Sequence, residues 1–260
     1  MATNLNMIPK YLHYCWFGGN EPPDIVKKCI DSWLKFCPDF KIIKWDEKNF
    51  DININKYVEI AYKNKKYAFV SDYARIWILY HYGGVYVDSD VEIIRRLDNL
   101  LYLPAFTGYE GYYRISTGII GAQKGHEWIK AILDFYDKNI DKLVNVDNGT
   151  VNIISNVDII TYLSYKLFDF KVGNQFHILK TGVHVFPMEY FCPIAPDRRE
   201  SFLTDKTYCI HHFSGTWLGK KQKLKIKIKN LIGLEGSRLF WRLQLIKREK
   251  LFKNFFLPST

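Results

Sequence analysis

The chain of 260 residues predicts an α/β fold: one mixed sheet flanked by helices, with a basic helical tail at its C-terminal end. Two observations carry that reading. Strand, amphipathic helix and strand follow one another within residues 8–45, the spacing of a βαβ unit. Further on, a helix ending in Gly83-Gly84 runs straight into an apolar strand. A third bounds it: no stretch of 18 or more apolar residues exists, so no membrane-spanning helix is expected, while 48% hydrophobic and 17% aromatic content suffices for a sizeable core.

The elements follow in order. "IPKYLHYCWFGG" (Ile8–Gly19) reads as a strand closed by a Gly-Gly turn. Ile25, Cys29 and Trp33 recur at helical spacing beside Val26, Ile30 and Leu34, giving a helix started by Pro22-Pro23-Asp24 and stopped before Pro38. "FKIIKW" (Phe40–Trp45) is the second strand. "SDYARIWILYHYGG" predicts a helix with Ser71 as N-cap and Gly83 just past its end, feeding the strand "VYVDSDV". "PAFTGYE" and "STGIIGAQ" read as short strands and "HEWIKAILDFYDKNI" as an amphipathic helix. Residues 150–168 are expected to be helical, and "FHILKTGVHVFP" to hold one strand or two.

Charge divides the chain. Between Gly219 and Thr260 stand 12 Lys and Arg against 2 Asp and Glu, which accounts for the whole net charge of +10; the remainder is balanced. A general nucleic-acid binder needs no such split, whereas a neutral catalytic body with a basic membrane-facing appendage does, so nucleic acid is not expected as a partner. The division predicts a domain over 1–218 and a tail over 219–260 in which Leu239, Leu243 and Ile246, then Phe252, Phe255 and Phe256, recur at helical spacing. Such a tail suits a helical cap, or an interfacial helix on an anionic leaflet. Five cysteines without CxxC spacing, and a start lacking the basic and apolar regions of a secretory signal, lead to the expectation of reduced packing thiols in a cytoplasmic protein.

The chemistry concentrates in "YHYGGVYVDSDVEI" (Tyr80–Ile93). Asp88 and Asp90 are one residue apart, and in a strand of period two both side chains point the same way. Burying two like charges costs several kcal/mol unless a cation or strong donors meet them. A hard divalent ion held by one or two carboxylates plus substrate phosphates would do so. Asp72 and Arg75 share a helix face, either as a surface ion pair or as part of the same site.

With its surroundings this block resembles the DXD-containing sugar transferases of glycosyltransferase family 32, and more distantly the glucosylating domains of large clostridial toxins. "FVSDYARIWILYHYGGVYVDSDVEI" is similar to the family's central pattern; "IPKYLHYCWFGG" resembles its first strand, "STGIIGAQKGHEWI" its acceptor-side segment and "IHHFSGTW" its C-terminal element. The resemblance implies a GT-A-like, Rossmann-like sheet and a retaining transfer of a hexose or N-acetylhexosamine from a nucleoside diphosphate sugar, most commonly a UDP-sugar, to a saccharide or lipid-linked saccharide. It implies Mn²⁺ or Mg²⁺ at Asp90, with Asp88 on ribose or metal-bound water, Asp72 on sugar hydroxyls and Arg75 between sugar and phosphate. Trp16, with Phe17 as the alternative, is implied to stack on the base above Gly18. His211 or His212, with Thr216 and Trp217, is implied to return to metal and diphosphate. "ISNVDIITYL" departs from the family's TGP form, leaving Asp158 as a candidate for the acceptor hydroxyl. With no evident nucleophile, front-face attack is the expected route. Capsule, O-antigen or exopolysaccharide synthesis on the inner face of a plasma membrane fits these features. The competing class is a non-catalytic basic protein binding membrane or nucleic acid, which would need no cation at Asp88 and Asp90.

Overall fold

The computed structural model describes residues 7–111, 113–152, 154–194 and 201–215. Thr216, Trp217 and the predicted tail lie outside the described residues, as does the predicted domain boundary.

The opening βαβ unit is present as β1 (Tyr11–Cys15), α1 (Asp24–Phe36) and β2 (Lys41–Trp45), with β1 and β2 parallel. Val26, Cys29 and Trp33 form the buried face of α1. Leu34, expected beside that face, is 58% exposed, because it lies round the helix from the contact stripe. A helix that the sequence reading did not anticipate, α2 (Lys56–Lys63), follows; the Asn55 side chain caps it by accepting from the Val58 N–H.

The long helix α3 runs from Tyr67 to Tyr82, one turn earlier than expected. Ser71 is therefore not its cap. It sits inside the helix and its hydroxyl donates back to the Tyr67 carbonyl, 3.0 Å away. Gly83 (φ +66°) ends the helix, and a Cβ there would meet the Lys124 nitrogen at 2.6 Å, so only glycine fits. Strand β3 (Gly84–Val87) follows directly. It stops before the two aspartates: Asp88-Ser89-Asp90 is a turn closed by Val91 N–H on the Asp88 carbonyl, leading into β4 (Val91–Ile93). The two carboxylates are therefore placed by a turn and not by strand alternation.

The remaining elements are β5 (Ala105–Gly108), β6 (Ile119–Ala122), α4 (Glu127–Lys138), α5 (Ile140–Leu143), β7 (Val144–Asn145), β8 (Thr150–Val151), α6 (Asn156–Leu167), β9 (His177–Ile178), β10 (Val183–Phe186), α7 (Met188–Phe191) and β11 (Cys209–His211). Helix α6 is shorter than the expected 150–168 because Thr150–Val151 pairs with β7. Among the described residues the main sheet has seven strands in the order β2-β1-β3-β6-β5-β10-β9, with β6 antiparallel to both neighbours. A separate antiparallel pair joins β11 to β4. All five cysteines are free and buried. No helix among the described residues is long and apolar enough to cross a membrane.

Topology sets the site. From β1 the chain goes through α1 to β2 on one side, then through α2 and α3 to β3 on the other. Such a switch point leaves a crevice beyond the C-terminal ends of β1 and β3, where open α/β sheets bind ligands. Those ends carry Trp16-Phe17-Gly18 and Asp88. Next to them the β5–β6 ladder bulges. Its register passes from Phe106↔Gly121 to Tyr109↔Ile115, so Thr117-Gly118 stand outside the ladder, and the buried Thr107 hydroxyl binds the Ser116 and Ile119 carbonyls on either side.

Candidate functional site

Arg75 is the hub of the crevice floor. It is 5% exposed, and helix α3 aims its guanidinium between two carboxylates, Asp72 Oδ1 at 3.1 Å and Asp88 Oδ1 at 2.9 Å. Its other donors go to the Ser71 carbonyl at 3.1 Å and the Thr117 carbonyl at 2.8 Å, and its plane lies over the Tyr86 ring at 4.7 Å. The bulge explains the Thr117 bond: a carbonyl outside the ladder needs another donor when buried. Two carboxylates share one cation here. Burial pushes the Asp72 carboxyl up to about 7, against the pull of Arg75 and with Asp88 adding to the rise. The Tyr86 hydroxyl donates to Asp88 Oδ1 at 3.2 Å.

Asp90 faces a different set of partners. Its Oδ1 is 3.3 Å from His211 Nε2, and its Oδ2 accepts from both the backbone N–H and the hydroxyl of Ser214, each at 2.8 Å. Burial alone would raise its pKa; His211 and Ser214 overcome that and hold Asp90 well below the usual carboxylate range. The β4–β11 pair builds this arrangement, placing His211 opposite Val91. His211 stacks on Phe213 at 4.0 Å, and its Nδ1 is buried without a hydrogen-bond partner. A Cβ on Gly118 would lie 2.8 Å from that nitrogen, so glycine is what lets the imidazole sit there. His212, the other candidate, is corrected: successive residues turn to opposite sides, and its ring meets Glu92 at 2.8 Å, with Lys28 on the same carboxylate oxygen.

At the end of β1, Trp16 is half-buried and its ring N–H binds the Asn20 carbonyl at 2.6 Å. Phe17, the alternative stacking residue, points into the core instead, 5% exposed and edge-on to Phe50 at 5.8 Å. Gly18 (φ +93°) lies under the Tyr67 ring, where a Cβ would clash at 2.3 Å, and its N–H binds Glu47 Oε1. Asp158 lies in the first turn of α6, and its neighbour Asn156 donates to the Thr117 hydroxyl at 3.2 Å. Sequence reasoning missed Tyr86, Thr117, Asn156 and Ser214. The signals for Tyr86 and Ser214 were present, inside "VYVDSD" and "HHFSGTW".

The donor set defines what cation would fit. Among the described residues no group of three or more His, Cys, Asp and Glu is arranged to hold a metal. Asp88 makes its described contacts through Oδ1, which leaves Oδ2 available. A hard divalent ion bound by one or two carboxylates plus diphosphate oxygens fits that set; a self-contained protein cage does not.

The family model described as the glycosyltransferase sugar-binding region containing DXD motif matches residues 23–106. Inositol phosphoceramide mannosyltransferase 2 of Schizosaccharomyces pombe is 31% identical over 51% of this chain and 39% of its own length. Mannosyl phosphorylinositol ceramide synthase SUR1 of Saccharomyces cerevisiae is 34% identical over 51% of this chain and 36% of its own. The chain thus spans well under half the length of these curated relatives. Among solved structures, the PaToxG glycosyltransferase superposes with a TM-score of 0.48 at 18% identity, over 62% of this chain and 70% of that one. Asp72, Arg75, Asp88 and Asp90 all fall inside the matched segment, and Trp16, His211 and Ser214 outside it. Residues 23–106 are thus similar to the glycosyltransferase sugar-binding region containing DXD motif.

Proposed function

We propose that the protein is a metal-dependent glycosyltransferase that moves a hexose from a nucleoside diphosphate sugar to a hydroxyl of a saccharide or of a polyol headgroup on a lipid. One observation carries this reading: the matched sugar-binding region encloses the Asp72–Arg75–Asp88 cluster, built on the buried Arg75, and the Asp88–Asp90 turn, at the switch point of the sheet. Asp88 and Asp90 would hold Mn²⁺ or Mg²⁺, which supplies charge stabilisation to a departing diphosphate. Asp72 would accept from donor-sugar hydroxyls. Arg75, with its N–H groups on Ser71, Asp72, Thr117 and Asp88, orients both carboxylates. Trp16 offers a ring face to the base at the rim.

The relatives' names speak of mannose and inositol phosphoceramide. They make mannose the first donor sugar to test, extend the acceptor class to lipid headgroups and give the capsule assignment no support. An acceptor at a bilayer suits the basic segment beyond Gly219, which would bring the enzyme to an anionic surface.

The test is a calorimetric and thermal-shift screen of UDP-, GDP- and CMP-sugars with and without Mn²⁺, followed by product analysis. Metal-dependent binding of a nucleoside diphosphate sugar is expected. No binding of any donor, with or without metal, would sink the proposal.

A further inference from the structure

Strand β1 lies between β2 and β3, so the ends of all three border the crevice. Asp88 follows the end of β3. On the other side the β1–β2 ladder runs on past the strands, the Trp16 N–H binding the Trp45 carbonyl at 2.9 Å, which sets Asp46-Glu47 beside Trp16-Phe17-Gly18. The ends of β2 and β3 are two strand spacings apart, about 10 Å. The turn after β2 is closed by the Asn49 and Phe50 N–H groups on the Asp46 carbonyl. The Asp46 carboxylate is taken up by the Lys48 N–H and the Lys44 ammonium, each at 2.9 Å.

Glu47 is placed differently. It is half-buried, and its Oε1 accepts from the Gly18 N–H, which fixes the carboxylate at the end of β1. The Tyr62 hydroxyl lies close to the same carboxylate, and the Tyr62 ring packs at 5.5 Å on the Tyr67 ring, which covers Gly18. Trp16, Tyr62 and Tyr67, all half-buried, thus gather with Glu47 around Gly18. Lys44, within electrostatic reach of Glu47, is held by Asp46. A carboxylate accepts at about four lone-pair sites, so the Gly18 N–H and Tyr62 leave capacity, and partial exposure leaves it reachable. A carboxylate with no cation of its own repels a diphosphate. Beside a nucleoside diphosphate it belongs to the uncharged end. The β2 side of the crevice is then the nucleoside side, and the Asp88–Asp90 turn with its cation the diphosphate side.

We infer that Glu47 reads the base of the donor and selects guanine: its carboxylate accepts from the N1–H and the N2 amino group on one edge of the base, so the donor is a guanosine diphosphate sugar. The inference rests on the glycosyltransferase reading above and names its nucleotide. Guanine presents two adjacent N–H donors, and an ionised carboxylate is an acceptor only, so the two match without a repulsive contact. Uracil presents one N–H between two carbonyl oxygens, and those oxygens oppose a carboxylate.

Calorimetry with Mn²⁺ tests this with GDP, inosine diphosphate, UDP and 2′-deoxy-GDP on the parent and on Glu47→Gln. Inosine diphosphate keeps N1–H and lacks the amino group. The parent should bind GDP best, inosine diphosphate about tenfold more weakly, and UDP more weakly again. Glu47→Gln should weaken GDP about ten- to hundredfold, the worth of a hydrogen bond to a charged group, and leave UDP within about threefold of the parent. Its amide oxygen still accepts from the Gly18 N–H, so this variant should melt with the parent. A parent that binds UDP as tightly as GDP overturns the inference, as does equal weakening of GDP and UDP in a Glu47→Gln protein that melts with the parent. So does a parent that loses on 2′-deoxy-GDP what Glu47→Gln loses on GDP, with the variant indifferent to the 2′-hydroxyl, because the carboxylate is then on the ribose. Should the variant melt early, the parent's order of GDP, inosine diphosphate and UDP decides. No metal-dependent binding of any of these nucleotides overturns the glycosyltransferase reading itself.

Discussion

Replacing Arg75 by methionine tests the hub of the site. Methionine keeps much of the volume of the stem, so the loss is mainly that of the guanidinium, its charge, its hydrogen bonds and its place over the Tyr86 ring. Removal leaves the part-buried Asp72 and Asp88 with no cation between them, and the Thr117 carbonyl without its donor. Breaking a buried ion pair from one side costs ~3–5 kcal/mol. For a chain of this size that is a fall in melting temperature of roughly 6–20 °C. The distinguishing measurement is a double-mutant cycle. With Arg75 gone, Asp72, whose carboxyl burial already pushes up to about 7, must take up a proton or stay as an unpaired carboxylate, and Asp72→Asn removes that cost, so the Arg75→Met/Asp72→Asn protein should be more stable than the two single losses add up to, by ~0.5–3 kcal/mol. Urea unfolding of the four proteins at pH 7.5 reads this directly. Additivity within ~0.5 kcal/mol, or an Arg75→Met variant that melts with the parent, would show that Arg75 is not the internal clamp and that its donors are free for a ligand. Turnover falls in both cases, so activity alone cannot decide.

Three further outcomes are expected. Asp90→Ala should abolish metal-dependent nucleotide binding by calorimetry while the fold survives, since its contacts to His211 and Ser214 lie at the edge of the sheet; unchanged affinity would take Asp90 out of the cation site. Trp16→Ala should weaken UDP and UDP-sugar, or GDP and GDP-sugar, by the same factor, because stacking worth ~1–3 kcal/mol acts on the base alone; a loss confined to the sugar nucleotide would refute base stacking. His13 is buried, accepts from Trp45 Nε1 at 3.1 Å and meets the Gly83 carbonyl at 2.9 Å, and burial lowers its pKa to about 4. Its folded pKa lies below the unfolded value, so its contribution is complete above about pH 6.5 and is lost as pH falls toward 4; between pH 7.5 and 5 the parent should lose ~2 kcal/mol more than His13→Gln, and equal losses would contradict the assignment.

The parts of the site that the sequence displayed are those governed by short-range geometry. Gly83-Gly84 had to end a helix and start a strand, because neither position tolerates a Cβ, and the helix face that carries Asp72 and Arg75 follows from a spacing of three. Even there the local signal misplaced details: Ser71 has the chemistry of a cap, but the apolar run from Tyr67 to Val70 packs well enough to extend the helix past it. What stayed hidden depends on pairing between distant segments. Asp90 and His211 are 121 residues apart and meet only because β11 takes one register on β4; a shift by one residue would bring His212 to the aspartate and turn His211 outward. Thr117 is a stronger case. Its part in the site is played by a backbone carbonyl, released from the ladder by a register change three residues long. Every residue has such a carbonyl, so no side-chain pattern could single this one out. The aspartates and the arginine are written in spacing and His211 in register, and the matched segment, residues 23–106, holds the former and not the latter.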